Sequence, residues 1–191
     1  MRGQTDISIS FATENRYKLQ EVKSILEPLN VEVKWIKTRK VEIQSNNLTE
    51  IATYSAKEVS KRIYGQVAVE DAGLFVESLS DFPGPFSAFV LKTIGTAGII
   101  RLMSGKPSRE AQFRSAVAVA MDGRLMAVFE GAIKGNITNS PRGKGGFGFD
   151  PIFVPEGKRT SFAQLSMYSK NNISHRGKTF RALAAWLGSK K

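Results

Sequence analysis

The stretch 141-PRGKGGFGFDPIFVPEG-157 decides how this chain is to be read. Gly143, Gly145 and Gly148 spell a literal G-x-G-x-x-G. In a dinucleotide-binding fold that loop joins a strand to a helix, and the helix N-terminus meets the pyrophosphate. Here Phe149-Asp150-Pro151-Ile152-Phe153-Val154-Pro155 follows. Aromatic and β-branched residues interrupted by two prolines predict a strand or extended loop and no helix. No acidic residue ends a second strand at the required distance, and no Gly-Lys-Ser/Thr closes a phosphate loop. The glycines serve something other than a dinucleotide cradle.

The chain has 191 residues, 41% hydrophobic and 24% charged, which suits one domain with a full core. No apolar run is long enough to span a bilayer, and the polar start Met1 to Asp6 lacks a signal-peptide core. With 0 Cys there is neither a disulfide framework nor a thiolate metal site. A cytoplasmic protein without a membrane partner is expected, and the Asn-x-Ser/Thr sequons at Asn47, Asn136 and Asn172 read as chance matches. Lys+Arg 28 against Asp+Glu 17 gives a net charge of +11, which calls for a polyanionic partner such as nucleic acid or a phosphorylated small molecule. The excess is spread along the chain, so a folded site fits better than a disordered basic arm.

Working outward from the loop, Ile7 to Ala12 alternates like a strand, and Thr13-Glu14-Asn15 offers helix-capping side chains. Leu19, Val22, Ile25 and Leu26 recur at helical spacing before Pro28. Such a strand–turn–helix unit aims backbone N–H groups at its turn, which suits phosphate. Lys18 sits in the first helical turn against the dipole preference; a phosphate contact and a solvated surface lysine explain it equally well. Val31–Ile36 predicts a second strand. Leu48, Ile51, Ala52, Ser55, Ala56, Val59 and Ile63 predict a helix ended by Gly65. Gln66–Val69 predicts a short strand with Glu70-Asp71 at its carboxyl end, where open α/β sheets bind ligands. Two short helices split at Gly95, then a hairpin turns at Asp122-Gly123. Ser174 caps a last helix striped by Phe180, Leu183, Ala184 and Leu187.

Four constellations carry the chemistry: Thr13-Glu14-Asn15 with Lys18; Glu42; Glu70-Asp71; and 170-KNNISHRGK-178. The single His175 stands at a predicted helix N-terminus, where a neutral imidazole and free N–H groups can face an oxo group or an anion. Without a second His or any Cys, histidine-based metal binding is disfavoured, whereas carboxylates suit Mg²⁺ together with phosphate oxygens. No Gly-x-Ser-x-Gly elbow supports a serine hydrolase. Carboxylates for a hard cation, lysines for phosphates and a glycine-flanked aromatic for a base read as a nucleotide-phosphate enzyme.

At this point the chain resembles the inosine triphosphate pyrophosphatase family. The resemblance runs collinearly from Ile7 to about Leu187. It rests on Thr13-x-Asn15-x-x-Lys18, Glu42-Ile43-Gln44, Glu70-Asp71-x-Gly73-Leu74, Phe82-Pro83-Gly84, Gly146 to Phe153 and Lys170-Asn171-x-Ile173-Ser174-His175-Arg176-Gly177. It implies one α/β domain over 1–191: an elongated mixed sheet with flanking helices, two lobes around a central cleft, and a homodimer. Residues 1–6 have no counterpart and read as a flexible extension. The implied reaction converts a purine nucleoside triphosphate (ITP, dITP or XTP) and water to the monophosphate and pyrophosphate. On the matching positions, Thr13, Asn15 and Lys18 would hold the triphosphate, Glu42, Glu70 and Asp71 would hold Mg²⁺, and Asp71 would activate water. Phe149 would stack on the purine with Asp150 and Lys170 fixing it, and Ser174, His175 and Arg176 would read its 6-oxo edge. The chain departs from the pattern at Ser87-Ala88-Phe89, where many relatives carry an arginine, and at Ser169, where an acidic residue is common; Lys57 is a candidate for a helix lysine near the phosphates. Two other readings stay open: a basic nucleic-acid-binding domain, and a pyrophosphatase of modified pyrimidine triphosphates. The first needs aromatics interleaved with basic residues on one sheet face, and no such motif occurs. The Ser-His-Arg segment argues against the second. Nucleic acid is therefore not an obligatory partner in this reading.

Overall fold

The structure is a computed structural model that describes residues 7–190. The extension expected at 1–6 lies outside the described residues. The chain runs β1 (Ile7–Ala12), α1 (Arg16–Leu26), β2 (Val31–Ile36), α2 (Leu48–Ser60), β3 (Val67–Val76), β4 (Pro83–Gly84), α3 (Ser87–Thr93), α4 (Gly95–Leu102), β5 (Glu110–Met121), β6 (Arg124–Ile137), β7 (Phe153–Pro155), α5 (Met167–Ile173) and α6 (His175–Gly188). The strands form one mixed sheet in the order β2-β1-β3-β5-β6-β7, with β4 on β3. β1 pairs parallel with β2 and β3, and the remaining pairs are antiparallel.

Side chains alternate across a strand, and the sheet uses both faces. Ile9, Phe11, Ala68, Val117 and Val119 face α1 and α6. Ala12, Val67, Val69, Ala116, Ala118 and Ala120 face α2. Beyond this sandwich, Leu74, Val76, Phe113, Ile137, Phe153 and Phe162 build a second core with Val90 of α3 and Ile99 of α4. Phe149 of the glycine loop belongs to this second core, and the loop lines a cleft through Phe147, Gly148, Phe149 and Asp150. The mixed sheet with flanking helices matches the expected fold class.

Three details differ from the sequence expectation. β3 is ten residues long, so Glu70-Asp71 lies inside it and not at its end. Glu, Asp and Gly are poor strand formers, but continuous pairing from Val67↔Ala120 to Val76↔Ala111 carries the strand through them. Its parallel partner β1 stops at Ala12, opposite Val69, so the acidic pair still begins where the parallel edge ends. α2 ends at Ser60, short of the expected Ile63 and Gly65. α5, a seven-residue helix capped by Ser166, has too few residues to show a period. The Asp122-Gly123 turn is as expected: φ of 50° and 75° at its two residues gives the twist a tight hairpin needs.

Candidate active site

Asn15 caps α1, its Oδ1 accepting from Tyr17 N at 2.9 Å and Lys18 N at 3.2 Å. Thr13 Oγ1 in turn accepts from Asn15 N at 3.1 Å. Two of the donors expected to face phosphate are thus satisfied by the cap, and this corner's contribution to an anion is the Lys18 ammonium. That ammonium, unfavourable to the helix dipole, is offset by Glu70 Oε2 at 3.2 Å.

Adjacent residues of a strand point to opposite faces, and this separates the two carboxylates of β3. Glu70 points toward α1 and α6. Burial pushes its carboxyl up, but the Arg176 guanidinium and Lys18 ammonium outweigh burial and hold it below the ordinary value. Asp71 points into the cleft and is 8% exposed. Burial, reinforced by the charges of Glu42 and Glu70 and only partly opposed by Lys18 and Lys40, pushes Asp71 from 3.8 up to about 6. Two neighbouring carboxyl groups are tuned apart, which is how an ionised partner and a proton acceptor coexist in one site.

Beneath the cleft runs a chain of alternating charge. Asp150 Oδ2 meets Lys170 Nζ at 2.5 Å, and Lys170 Nζ meets Glu21 Oε1 at 2.7 Å. Glu21 Oε2 accepts from Arg176 Nη1 at 2.5 Å. Arg176 Nη2 donates to Glu70 Oε2 at 3.1 Å; Arg176 Nε lies 2.8 Å from Glu70 Oε1 but off the donor axis, so that contact is an ion pair only. Burial raises Glu21 while Arg176 and Lys170 lower it, with a net shift downward. The chain ties the glycine loop, α5, α1, α6 and β3 together. Glu21 was missed from sequence. Its one signal was its spacing: three residues after Lys18, it shares a helix face with a candidate site residue.

Gly146 adopts φ 68°, and a Cβ there would stand 2.1 Å from Asp150 Oδ2, so the loop requires glycine at this point. Phe147 N donates to that same oxygen at 2.8 Å. The two aromatics of Phe147-Gly148-Phe149 have different fates. Phe149, the expected stacking residue, is 3% exposed and packs into the second core. Phe147 is partly exposed beside Lys170 Nζ, 4.8 Å from its ring centre, and Tyr17 stacks on it with centroids 5.5 Å apart. His175 stacks on Phe113 at 4.9 Å. Burial, with Arg176 and Lys170 nearby, holds its imidazole well below the ordinary value, hence neutral. Its Nδ1 is buried without a partner among the described residues. Ser174 caps α6, accepting from Gly177 N at 3.0 Å.

These groups converge on a cleft of about 540 Å³, within the range of small-molecule sites. Thr13, Asn15, Lys18, Glu42 and Asp71 line one part, and Phe147, Phe149, Asp150, Lys170, His175 and Arg176 another. Ser174 and Glu70 lie just behind. Lys57 is exposed on α2 and does not line the cleft. Ser87 and Ala88 do line it, without an arginine; Arg39, from the segment after β2, lines it as well. Among the described residues no group of three or more His, Asp or Glu is gathered for a metal. Glu70 is paired with Arg176 and Lys18 and does not line the cleft; Asp71 and Glu42 do, Glu42 with Lys40 beside it. One or two carboxylates completed by phosphate oxygens and water is a set that fits Mg²⁺. No helix among the described residues is long and apolar enough to cross a membrane.

Comparison with known proteins agrees with the motifs. A model of the Ham1 family matches residues 9–186. The dITP/XTP pyrophosphatase of Thermococcus kodakarensis is 47% identical over 179 residues, covering 94% of this chain and 96% of that protein. Its counterpart in Pyrobaculum aerophilum is 45% identical, covering 94% and 95%. The structure of a HAM1 protein from Coxiella burnetii superposes with a TM-score of 0.83 at 26% identity, covering 96% of this chain and 99% of that one. The chain belongs to the Ham1 family.

Proposed function

We propose that the protein hydrolyses non-standard purine nucleoside triphosphates, dITP, ITP and XTP, to the monophosphate and pyrophosphate, removing them from the nucleotide pool. One observation carries this reading: a single cleft gathers a raised carboxyl, lysines, a partly exposed aromatic ring and the N-terminal end of α6. The names of the related dITP/XTP pyrophosphatases support it.

Asp71 takes a proton from the attacking water as the water oxygen bonds to the α-phosphorus and the α–β bridging bond breaks. A carboxyl near 6 is ionised at neutral pH yet basic enough to accept that proton. Lys18 and Arg39 neutralise charge on the phosphates and on the departing pyrophosphate. Bound Mg²⁺, held by Asp71 and Glu42, would supply charge stabilisation at the phosphate oxygens. Glu70 serves this arrangement by fixing Lys18 and Arg176.

The purine stacks on Phe147, since Phe149 has spent its ring on the core. Donors at the N-terminal end of α6, where His175 lines the cleft, face the 6-oxo group, and the paired Lys170 and Arg176 hold that end in place. Adenine would set a 6-amino donor against them, leaving buried donors unpaired, which is costly. The exposed apolar side chains Phe82, Phe86, Phe89 and Ile94, close in sequence, support a homodimer, to be checked by sedimentation for a species of twice the chain mass. The absence of cysteine suits a cytoplasmic setting, which fractionation would test.

Kinetics on dITP test the reading. Pyrophosphate is expected as the first product, and Phe147→Ala should raise KM on the order of tenfold or more, the scale of one base–aromatic stack. Orthophosphate as the first product would refute the reaction. An unchanged KM would move the base away from Phe147.

A further inference from the structure

One cation of the cleft takes part in none of these roles. Lys40 stands two residues before Glu42, in the segment between β2 and α2. Its Nζ lies 3.1 Å from Glu42 Oε1 and donates to the main-chain oxygen of Glu70 at 3.1 Å. The Lys40 side chain is 12% exposed and that of Glu42 is 56% exposed, so the ammonium is the fixed partner and the carboxylate the one held. The segment is itself anchored, because Ser55 Oγ of α2 donates to Val41 O at 2.7 Å. The next residue of β3 is Asp71, whose carboxyl also feels the Lys40 charge. The ammonium is therefore paired with Glu42 and held on the main chain one residue before Asp71, two of the carboxylates that line the cleft.

The geometry points to Lys40 as a built-in counter-ion of the divalent-cation site: it holds Glu42 beside β3 in the free protein and yields it when the ion enters. The inference rests on reading Asp71 and Glu42 as the metal ligands. Two carboxylates on one cleft wall repel each other, and a fixed single positive charge relieves that repulsion. The same charge competes with a divalent ion for the same oxygens. An ammonium satisfies them only through hydrogen bonds, at longer range than the ~2.0–2.1 Å contacts of Mg²⁺, so it is displaceable. Once released, the Lys40 ammonium is free to face the triphosphate. Metal and phosphate binding thereby become coupled through one side chain.

Mn²⁺ binding, measured by calorimetry without nucleotide, tests this on the whole protein. Lys40→Met should bind Mn²⁺ about tenfold more tightly than wild type, the scale of losing one nearby competing charge. Lys40→Arg, which keeps the charge, should stay within about threefold. If the Met variant binds equally or more weakly while wild type binds, the counter-ion role is overturned. If wild type and both variants bind no Mn²⁺ at millimolar concentration, the metal reading of Asp71 and Glu42 fails and takes this inference with it. Circular dichroism checks folding, and Lys40→Gln provides the same comparison should the Met variant not fold.

Discussion

Asp71→Asn is expected to lower kcat on dITP by ~10²–10⁴ while making the metal-free protein more stable. Both effects come from the same carboxylate. It faces the cleft, is raised to about 6 and has no ion pair among the described residues, whereas Asp150, the other cleft carboxyl that burial raises, is tied to Lys170. Asparagine accepts no proton, so turnover falls while the nucleotide still binds through Phe147 and Lys18. The stability effect follows from linkage. The Asp71 carboxyl is raised in the folded state, so the unfolded chain ionises it more readily. Folding stability therefore declines as pH rises from 3.8 to about 6. At neutral pH that decline is worth roughly 3 kcal/mol, and a neutral isostere removes it. Thermal unfolding with chelator should show a Tm several degrees higher for Asp71→Asn at pH 7.5, with the gap closing below about pH 4. Unchanged turnover would remove Asp71 from the mechanism, and an unchanged Tm would mean that its burial is not costly.

Arg176→Ala should destabilise the protein by about 3–5 kcal/mol, the cost of leaving buried charges without their partner. Its guanidinium lies between Glu21 and Glu70, both buried, and alanine offers neither a donor. Glu21 and Glu70 are held below 4.5 in the native protein. The stability they contribute is therefore present above 4.5 and lost as pH falls through their folded values. In the variant, burial alone acts against these carboxylates, which would then take up protons. The gap between wild type and variant should accordingly be widest at neutral pH and narrow in acid. Urea unfolding at pH 7.5 and pH 4 measures this; a loss under 1 kcal/mol at neutral pH would show that Lys18 and Lys170 suffice. It also limits what Arg176 can say about base choice, because a guanidinium committed to two carboxylates holds the reading end of α6 in place before it meets any ligand.

Local features were legible in the sequence. β1 with the Asn15 cap, β2, the Asp122-Gly123 hairpin and the Ser174 cap each follow from side chains within a few residues. The functional stretches were legible as motifs, and the cleft does gather them. What could not be read depends on partners far along the chain. Glu21 looks like an ordinary helix glutamate until Lys170 and Arg176 arrive from 149 and 155 residues away. Phe147 and Phe149 are equivalent in sequence, flanking the same glycine, and only the second core decides which ring is spent on packing. β3 continues through Glu70-Asp71-Ala72-Gly73 because β5 pairs with it, not because those residues favour strands. The net charge of +11 also pointed less directly than expected. In the cleft, Lys18, Arg39, Lys40, Lys170 and Arg176 face Glu14, Glu42, Asp71 and Asp150, with Glu21 and Glu70 behind them. Its charges nearly cancel, so most of the excess lies elsewhere on the surface.

Selective cleavage of the non-standard purine triphosphates at the α-phosphorus, with both GTP and ATP refused, is the activity at issue. Its most direct test is pyrophosphate release from dITP, XTP, GTP and ATP, assayed in parallel with Mg²⁺. Strong release from dITP and XTP, paired with the monophosphate and with little from GTP or ATP, is the predicted result. Equal turnover of all four, or none, would contradict the account. A surface charge of +11 would then make a nucleic-acid partner the reading to pursue.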